Sequence, residues 1–260
     1  MNQTPRLNYD EIAPAYNQRY DSSPVPERVK ALLGLVNQIK AQRILEVGCG
    51  TGFWLDQLAS RAKTTCGLDY SLGMLKQAKG RLAPLRLSQG DATRLPYRNN
   101  AFDLIYCVDA FHHFGDQWAF IAESFRVLRP GGALAIIGSD PHSSDDHWYV
   151  YDYFQGVREF DLGRFSPANT ILHWMNEAGF ERTGSEIVEH IQDSYCGKDV
   201  FNDPFLKKNA TSQLALISDE AYQVGIKNIE NAITKSERSG EELIFESALW
   251  IKMLVGFKPA

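Results

Sequence analysis

Apolar residues recur at two different spacings along this chain, and the change of spacing divides it. Tyr9, Ile12, Ala13 and Tyr16 share one helical face, and after Pro24 and Pro26 the residues Val29, Leu32, Leu33, Val36 and Ile39 form a second amphipathic run. Beyond residue 42, short apolar runs alternate with amphipathic ones. Those at 43–47, 64–68, 85–88, 102–108 and 133–137 read as strands. Helices are expected over 54–62, over 72–82 with Ser71 as cap, and around Trp118, Ile121, Phe125 and Leu128, with Pro130-Gly131-Gly132 as the stop. Strand and helix in alternation predict a parallel sheet with helices on both faces.

The rhythm loosens after residue 140. Ser166-Pro167 opens a helix that Gly179 closes, with proline at its first position. Late strands are expected over 180–188 and 243–257. Between them Tyr222, Ile226, Ile229 and Ile233 mark one face of a further helix, inside an insertion running from Gln192 to Gly240.

Composition narrows the class. The 260 residues are 44% hydrophobic, which argues against a disordered chain. A net charge of −5 lacks the basic field that nucleic-acid binding needs, so no nucleic-acid partner is expected. The polar start, MNQTPRLNYD, does not read as a leader, and runs such as Ala133 to Ile137 are too short to span a bilayer. Cys49, Cys66, Cys107 and Cys196 are widely spaced, which suits reduced thiols and a cytoplasmic location.

The first strand runs into Glu46-Val47-Gly48-Cys49-Gly50-Thr51-Gly52 and then a helix. Glycine there permits positive φ and close approach of a ligand to the backbone. The amides that open the helix face whatever lies above the loop. Asp69 ends the next strand, placed to accept from both hydroxyls of a ribose. The pattern indicates a nucleoside-containing cofactor, with a tight strand-to-helix turn as the purely geometric alternative. The spacing is GxGxG, and Phe53 stands where a dinucleotide fingerprint would put its third glycine.

ILEVGCGTG, GLDYSLGMLKQAK, QGDATRLPYRNNAFDLIYCVDAFHHF and VLRPGGALAI follow one another at the intervals of class I S-adenosylmethionine-dependent methyltransferases. The chain resembles that family over roughly residues 9–140, and most closely its ubiquinone and menaquinone biosynthesis branch. The resemblance implies a Rossmann-like methyltransferase fold, α/β, with a mostly parallel seven-stranded sheet, helices on both faces and a helical insertion before the last strand. The expected organisation is one domain: a helical lid at 1–40, a cofactor-binding core at 41–140, an aromatic segment completing the sheet at 141–189, an insertion at 190–240 and the last strand at 241–260.

The same resemblance implies roles for single residues. Gly48, Gly50 and Gly52 would line the methionine moiety of S-adenosylmethionine, with Glu46 supporting the loop or reaching the amino group through water. Asp69 would hold the ribose, Tyr70 and Met74 would flank the adenine, and Asp91 and the Ala92 amide would read its edge. Val108 to Phe111 would pass close to the sulfonium. Tyr9-Asp10-x-x-Ala13-x-x-Tyr16 looks like the segment that covers the cofactor in this branch, making Tyr16 and Tyr20 lid contacts, or else an ordinary core face.

Methyl transfer from a sulfonium is an in-line displacement that needs alignment and dryness more than acid–base machinery. A base is needed only for a protonated acceptor, and Asp109, His112 and His113 are the candidates, with a structural role as the alternative for both histidines. His142, Asp145, Asp146 and His147 lack metal-ligand spacing, so no metal is expected. A thiol-gripped acceptor such as arsenite would need three free cysteines, which Cys107 and Cys196 do not supply.

Residues 147–160 hold six aromatics in fourteen positions, where a 12% average gives fewer than two. They read as an acceptor wall of Phe111, Trp148, Tyr149, Tyr151 and Tyr153 with Arg158, or as a helix–helix contact. The expected function is methyl transfer to carbon or oxygen of a small aromatic or apolar acceptor. A nicotinamide-dependent oxidoreductase and a non-enzymatic S-adenosylmethionine-binding subunit are the alternatives.

Overall fold

The computed structural model of the protein describes residues 9–13, 27–81 and 85–260. Helices α1 (Tyr9–Ile12) and α2 (Glu27–Gln38) precede β1 (Arg43–Val47), and α3 (Phe53–Leu58) leads to β2 (Thr64–Asp69). Then come α4 (Leu72–Ala78), β3 (Arg86–Gln89), β4 (Phe102–Val108), α5 (Gln117–Val127) and β5 (Leu128–Gly138). The rest is β6 (His147–Trp148), α6 (Val150–Tyr153), α7 (Val157–Arg164), α8 (Ala168–Glu177), β7 (Glu181–Cys196), α9 (Ser212–Ala215), α10 (Asp219–Ser239) and β8 (Ile244–Phe257).

The strands form one sheet in the order β3-β2-β1-β4-β5-β8-β6, with β7 on the other edge of β8. β3 to β5 are parallel, and β8 runs antiparallel to β5, β6 and β7. The two-residue β6 makes eight strands where seven were expected. β1 is buried at four successive positions and β4 at six of seven, because helices cover both faces of the sheet. One face packs Leu45, Ile105, Leu134 and Leu254 under α5 and α8 through Phe120, Ile121, Ile171 and Met175. The opposite face packs Ile44, Leu104, Ala135 and Ile251 under α2 and α3.

Several boundaries move, each for a local reason. Ser71 caps α4 as expected, accepting from the Met74 amide, but α4 ends at Ala78; residues 82–84 lie outside the described ones. α5 ends at Val127, ahead of Pro130-Gly131-Gly132. That triplet instead lies within β5, where Gly131 takes φ +76° and donates to the Lys258 carbonyl. Pro167 sits at the cap of α8 rather than inside it. Ser166 does not cap it, and the Asp140 carboxylate takes the Ala168 amide at 3.3 Å. β7 continues to Cys196 by pairing with β8 along its whole length, so the insertion starts near residue 197 instead of 190.

The aromatic segment folds as core. Trp148, Tyr149, Val150 and Phe154 bury themselves against Val200, Leu206, Ile229, Ile233 and Phe245, forming a third apolar cluster beneath α10. The Tyr149 hydroxyl donates to Asp203 at 2.6 Å inside it, and burial with that carboxylate pushes the phenol up. No helix among the described residues is long and apolar enough to cross a membrane.

α10 lies close to Phe154 because residue 225 is glycine: a Cβ there would stand 2.1 Å from the buried Phe154 ring. Alanine in a helix interior is ordinarily favoured by about 1 kcal/mol over glycine, whereas overpacking costs about 1–3 kcal/mol. Gly225→Ala is therefore expected to destabilise the fold by up to about 2 kcal/mol net. The measurement is the urea midpoint at unchanged m-value, and a higher midpoint would show that α10 can move away.

Candidate functional site

The order of the parallel strands reverses between β1 and β4, and open α/β sheets take ligands in the crevice beyond the strand ends at that point. A cleft of about 1370 Å³ lies there. The loop after β1 has Gly48, Gly50 and Gly52 at φ +73°, +52° and +74°. A Cβ on Gly48 would stand 2.5 Å from the Ala110 Cβ, so glycine is required for the loop to lie against the end of β4. At Gly50 the space beside the backbone is open.

Asp69 ties this loop to the next. Its Oδ2 accepts from the Gly50 amide at 2.7 Å and its Oδ1 from the Ser71 amide at 2.8 Å. Burial raises its carboxyl, and these amides oppose the shift. Each oxygen keeps a further lone pair for a ligand hydroxyl. Asp91 is fixed by an Asx turn, its Oδ1 accepting from the Thr93 amide and hydroxyl at 2.9 Å each. With Gly48 and Gly50, the cleft is lined by Asp69, Tyr70, Met74, Asp91, Ala92 and Val108.

Among the described residues, two expected contacts, Glu46 and Gly52, are not in that lining. Glu46 is fully buried beneath the loop with the Tyr106 hydroxyl at 3.2 Å, and burial pushes its carboxyl well above the usual range. Its position is that of a support. Gly52 is the cap of α3 and packs toward Ala78 of α4. Tyr16 and Tyr20 lie outside the described residues. In the same segment α1 bridges the cleft. The Tyr9 hydroxyl meets His113 Nε2 at 2.7 Å, and Asp10 Oδ1 accepts from the Ser71 hydroxyl at 2.5 Å and the Gly73 amide at 2.7 Å.

Beyond β4 the cleft meets a second cavity of about 210 Å³, with Asp109, Ala110, His112, His113 and Ser166 lining both. Its walls include Phe111, Ile136, Ile171, Ile251 and Leu254, and the insertion contributes Phe205 and residues 209–213. Asp109, at φ +50°, holds the Arg28 guanidinium at 2.6 Å, and Arg28 also pairs with Glu189 at 2.5 Å. It is thus a tie between α2, β4 and β7. His112 stacks on Phe165 at 3.9 Å, and burial, helped by His113 and the Arg164 charge, holds its imidazole well below the ordinary value.

The other expected acceptor residues do not come together here. Trp148, Tyr149, Tyr151 and Tyr153 belong to the cluster under α10, Arg158 is exposed, and none of the five lines either cavity. Cys49, Cys66 and Cys107 are buried and only Cys196 is exposed. Among the described residues, no group of three or more His, Cys, Asp or Glu could hold a metal ion. Arg28 and Arg164 were not foreseen, whereas the stretch 205–213 falls in the insertion expected at 190–240. Only the Asp161/Arg164 spacing of three on one helix gave any signal in the sequence.

A family model described as a methyltransferase domain matches residues 45–136. The chain is 34% identical to the demethylmenaquinone methyltransferase of Renibacterium salmoninarum over 131 residues, 49% of this chain and 55% of that protein. It spans about half the length of the curated relatives it matches. Among solved structures, a protein of Anabaena variabilis from an antibiotic biosynthesis pathway superposes with a TM-score of 0.67 at 22% identity, over 88% of this chain and 95% of that one. A Haemonchus contortus phosphoethanolamine N-methyltransferase, solved with phosphomonomethylethanolamine and S-adenosylhomocysteine, gives 0.59 at 19% identity, over 96% and 58%.

Because His112 is harder to protonate in the fold than in the open chain, acid favours the unfolded state. Its contribution to stability is complete above the ordinary histidine value of 6.5 and is lost as pH falls below it. The slope is up to about 1.4 kcal/mol per pH unit. His112→Gln is expected to flatten the acid limb of the stability–pH curve. An NMR titration should show the ring neutral at pH 6, and a protonated ring there would contradict the burial argument.

Proposed function

We propose, from the methyltransferase-domain match over residues 45–136 and the quinone-related relatives, that this chain is a class I S-adenosylmethionine-dependent methyltransferase and transfers a methyl group to carbon or oxygen of a small apolar acceptor. The observation that carries the reading is the meeting of the two cavities at Asp109, Ala110, His112 and His113. The dinucleotide alternative has no support at position 53, where phenylalanine opens α3.

The cleft residues fit the cofactor. The Gly48–Ala110 approach shapes a cradle that a Cβ would fill, Asp69 offers two acceptor oxygens, and Asp91 stands on the next loop beside Ala92. In this assignment Gly48 and Gly50 hold the methionine end, Asp69 the ribose, Tyr70 and Met74 the adenine faces, and Asp91 with the Ala92 amide its polar edge. Glu46 and Gly52 act through the shape of the loop. S-adenosylmethionine, when bound, supplies a methyl group on a positively charged sulfur with a neutral leaving group.

The chain's own work is alignment and dryness. The apolar walls around Ile136, Ile171 and Leu254 exclude water from an acceptor, and a low-polarity surround favours a step in which positive charge disperses. The quinone-related relative from Renibacterium salmoninarum supports an apolar acceptor. Where the acceptor carries a proton, His113 is the group we assign to take it, because an imidazole as hard to protonate as His112 is a weak base. The Tyr9 hydroxyl orients the His113 ring.

Titration calorimetry with S-adenosylhomocysteine tests the cofactor half. Asp69→Ala is expected to weaken binding about 10- to 100-fold, from hydrogen bonds to a charged group worth about 1.5–3 kcal/mol. Unchanged affinity would remove Asp69 from the site. The transfer half is tested by incubating the protein with methyl-labelled S-adenosylmethionine and a metabolite extract. Label is expected in a small organic-soluble product, and its absence from every fraction would favour a binding subunit.

A further inference from the structure

Where the cleft runs past His112 toward α7, it is lined by Gln117, Gly163, Arg164, Ser166, Trp174 and Leu216. These residues stand apart from the cofactor cradle. Arg164 closes α7 with its side chain only 5% exposed. Its Nε and Nη2 donate to Asp161 Oδ1 at 2.9 and 2.7 Å, and Nη2 also donates to the Ser212 hydroxyl of α9 at 2.8 Å. The Tyr151 hydroxyl donates to the other oxygen of the fully buried Asp161 at 2.8 Å. Arg164 Nη1, however, is buried and has no hydrogen-bond partner among the described residues.

A second orphan sits beside it. Gln117 Nε2 donates to the Arg164 carbonyl at 3.0 Å, which fixes the amide, while Gln117 Oε1 is buried with no partner among the described residues. A donor and an acceptor are thus left unmet on two bonded residues that both line the cleft. Other buried polar atoms, Glu46 Oε1 and Ser124 Oγ among them, are also unmet, but of the residues that carry such atoms only Gln117 and Arg164 line this cleft, where a bound group can meet them. The Arg164 guanidinium also lies over the Phe160 and Phe165 rings, and His112, which lines both cavities, stacks on Phe165.

Charge decides what that group is. Asp161 already neutralises Arg164 at ion-pair distance inside the protein. A carboxylate or phosphate placed there would be a second anion near a buried carboxylate, without a second cation to offset its desolvation. A hydroxyl brings no charge, and it can accept from Nη1 or donate to Oε1.

We propose that Arg164 and Gln117 form the polar anchor of the acceptor site and recognise a neutral hydroxyl on an otherwise apolar molecule. This rests on the acceptor reading given above. The insertion then takes part in recognition, because Ser212 of α9 helps to hold the guanidinium and the neighbouring residues 209–213 wall the second cavity.

The test uses three probes of one shape, naphthalene, 2-naphthol and 2-naphthoate, titrated calorimetrically into protein saturated with S-adenosylhomocysteine. 2-Naphthol is expected to bind at least tenfold tighter than the other two. Arg164→Lys keeps a cation for Asp161 but loses the guanidinium fork, and Gln117→Leu removes the amide. Each is expected to erase most of that preference while S-adenosylhomocysteine affinity stays close to wild type. Equal affinities for naphthalene and 2-naphthol would overturn the proposal, as would a preference that survives in both variants, since water alone would then satisfy the two atoms. Tightest binding of 2-naphthoate would also overturn it, in favour of an anion site. If none of the three probes binds protein that does bind S-adenosylhomocysteine, the acceptor-cavity reading itself fails, and the anchor with it.

Discussion

The loop after β1 passes the end of β4 so closely that a single Cβ at Gly48 would collide with Ala110. Much of the site hangs on that approach. It sets the cleft against Val108, Asp109 and Ala110, and it leaves the Gly50 amide free to meet Asp69 from the neighbouring strand. The parallel order of β3, β2, β1 and β4 then gathers Asp91, Asp69, the glycine loop and the two histidines at one edge of the sheet. Residues far apart in sequence meet because parallel strands all end on the same side.

Polar groups divide around this cleft by how fully they are paired. Asp109, Arg28 and Glu189 form an ion-paired chain joining α2, β4 and β7, and Asp10 is held by Ser71 and Gly73, which keep its carboxyl below the usual range. Such groups fix where elements sit. Glu46 does similar work from inside, as a buried carboxyl under the loop. Gln117 and Arg164, like Glu46, each keep one buried polar atom unmet, but they alone of the three line the cleft, and a fold does not gain stability from such atoms.

The back of the molecule shows how one composition serves two ends. An enriched run of aromatics next to a cofactor fold suggests a substrate wall, yet Trp148, Tyr149 and Phe154 are consumed by a third core under α10. The long β7–β8 pair explains why. Its far end extends beyond the contact with β5, and that surface needs an apolar cover of its own. The second cavity takes its apolar lining from strands β5 and β8 and from α8 instead.

Periodicity located β1, β2 and β4 almost to the residue and α2, α5 and α8 closely, because burial on both faces of the sheet leaves unbroken apolar runs that few other arrangements tolerate. The glycine loop, Asp69 and Asp91 were legible for a related reason: positive φ and strand-end acids are local requirements that a short window of sequence must meet. Arg28 and Arg164 were not, since each reaches the site across long separations through side chains that look like ordinary surface in isolation. Strand length beyond residue 188 was hidden in the same way, because β7 and β8 stabilise each other by pairing rather than by any pattern of their own. By itself, then, the sequence determined the sheet, the cradle and the class of cofactor that suits it, all matters of local geometry. Only the tertiary structure decided which polar atoms stay unpaired beside the cleft, because pairing depends on what arrives from elsewhere in the chain.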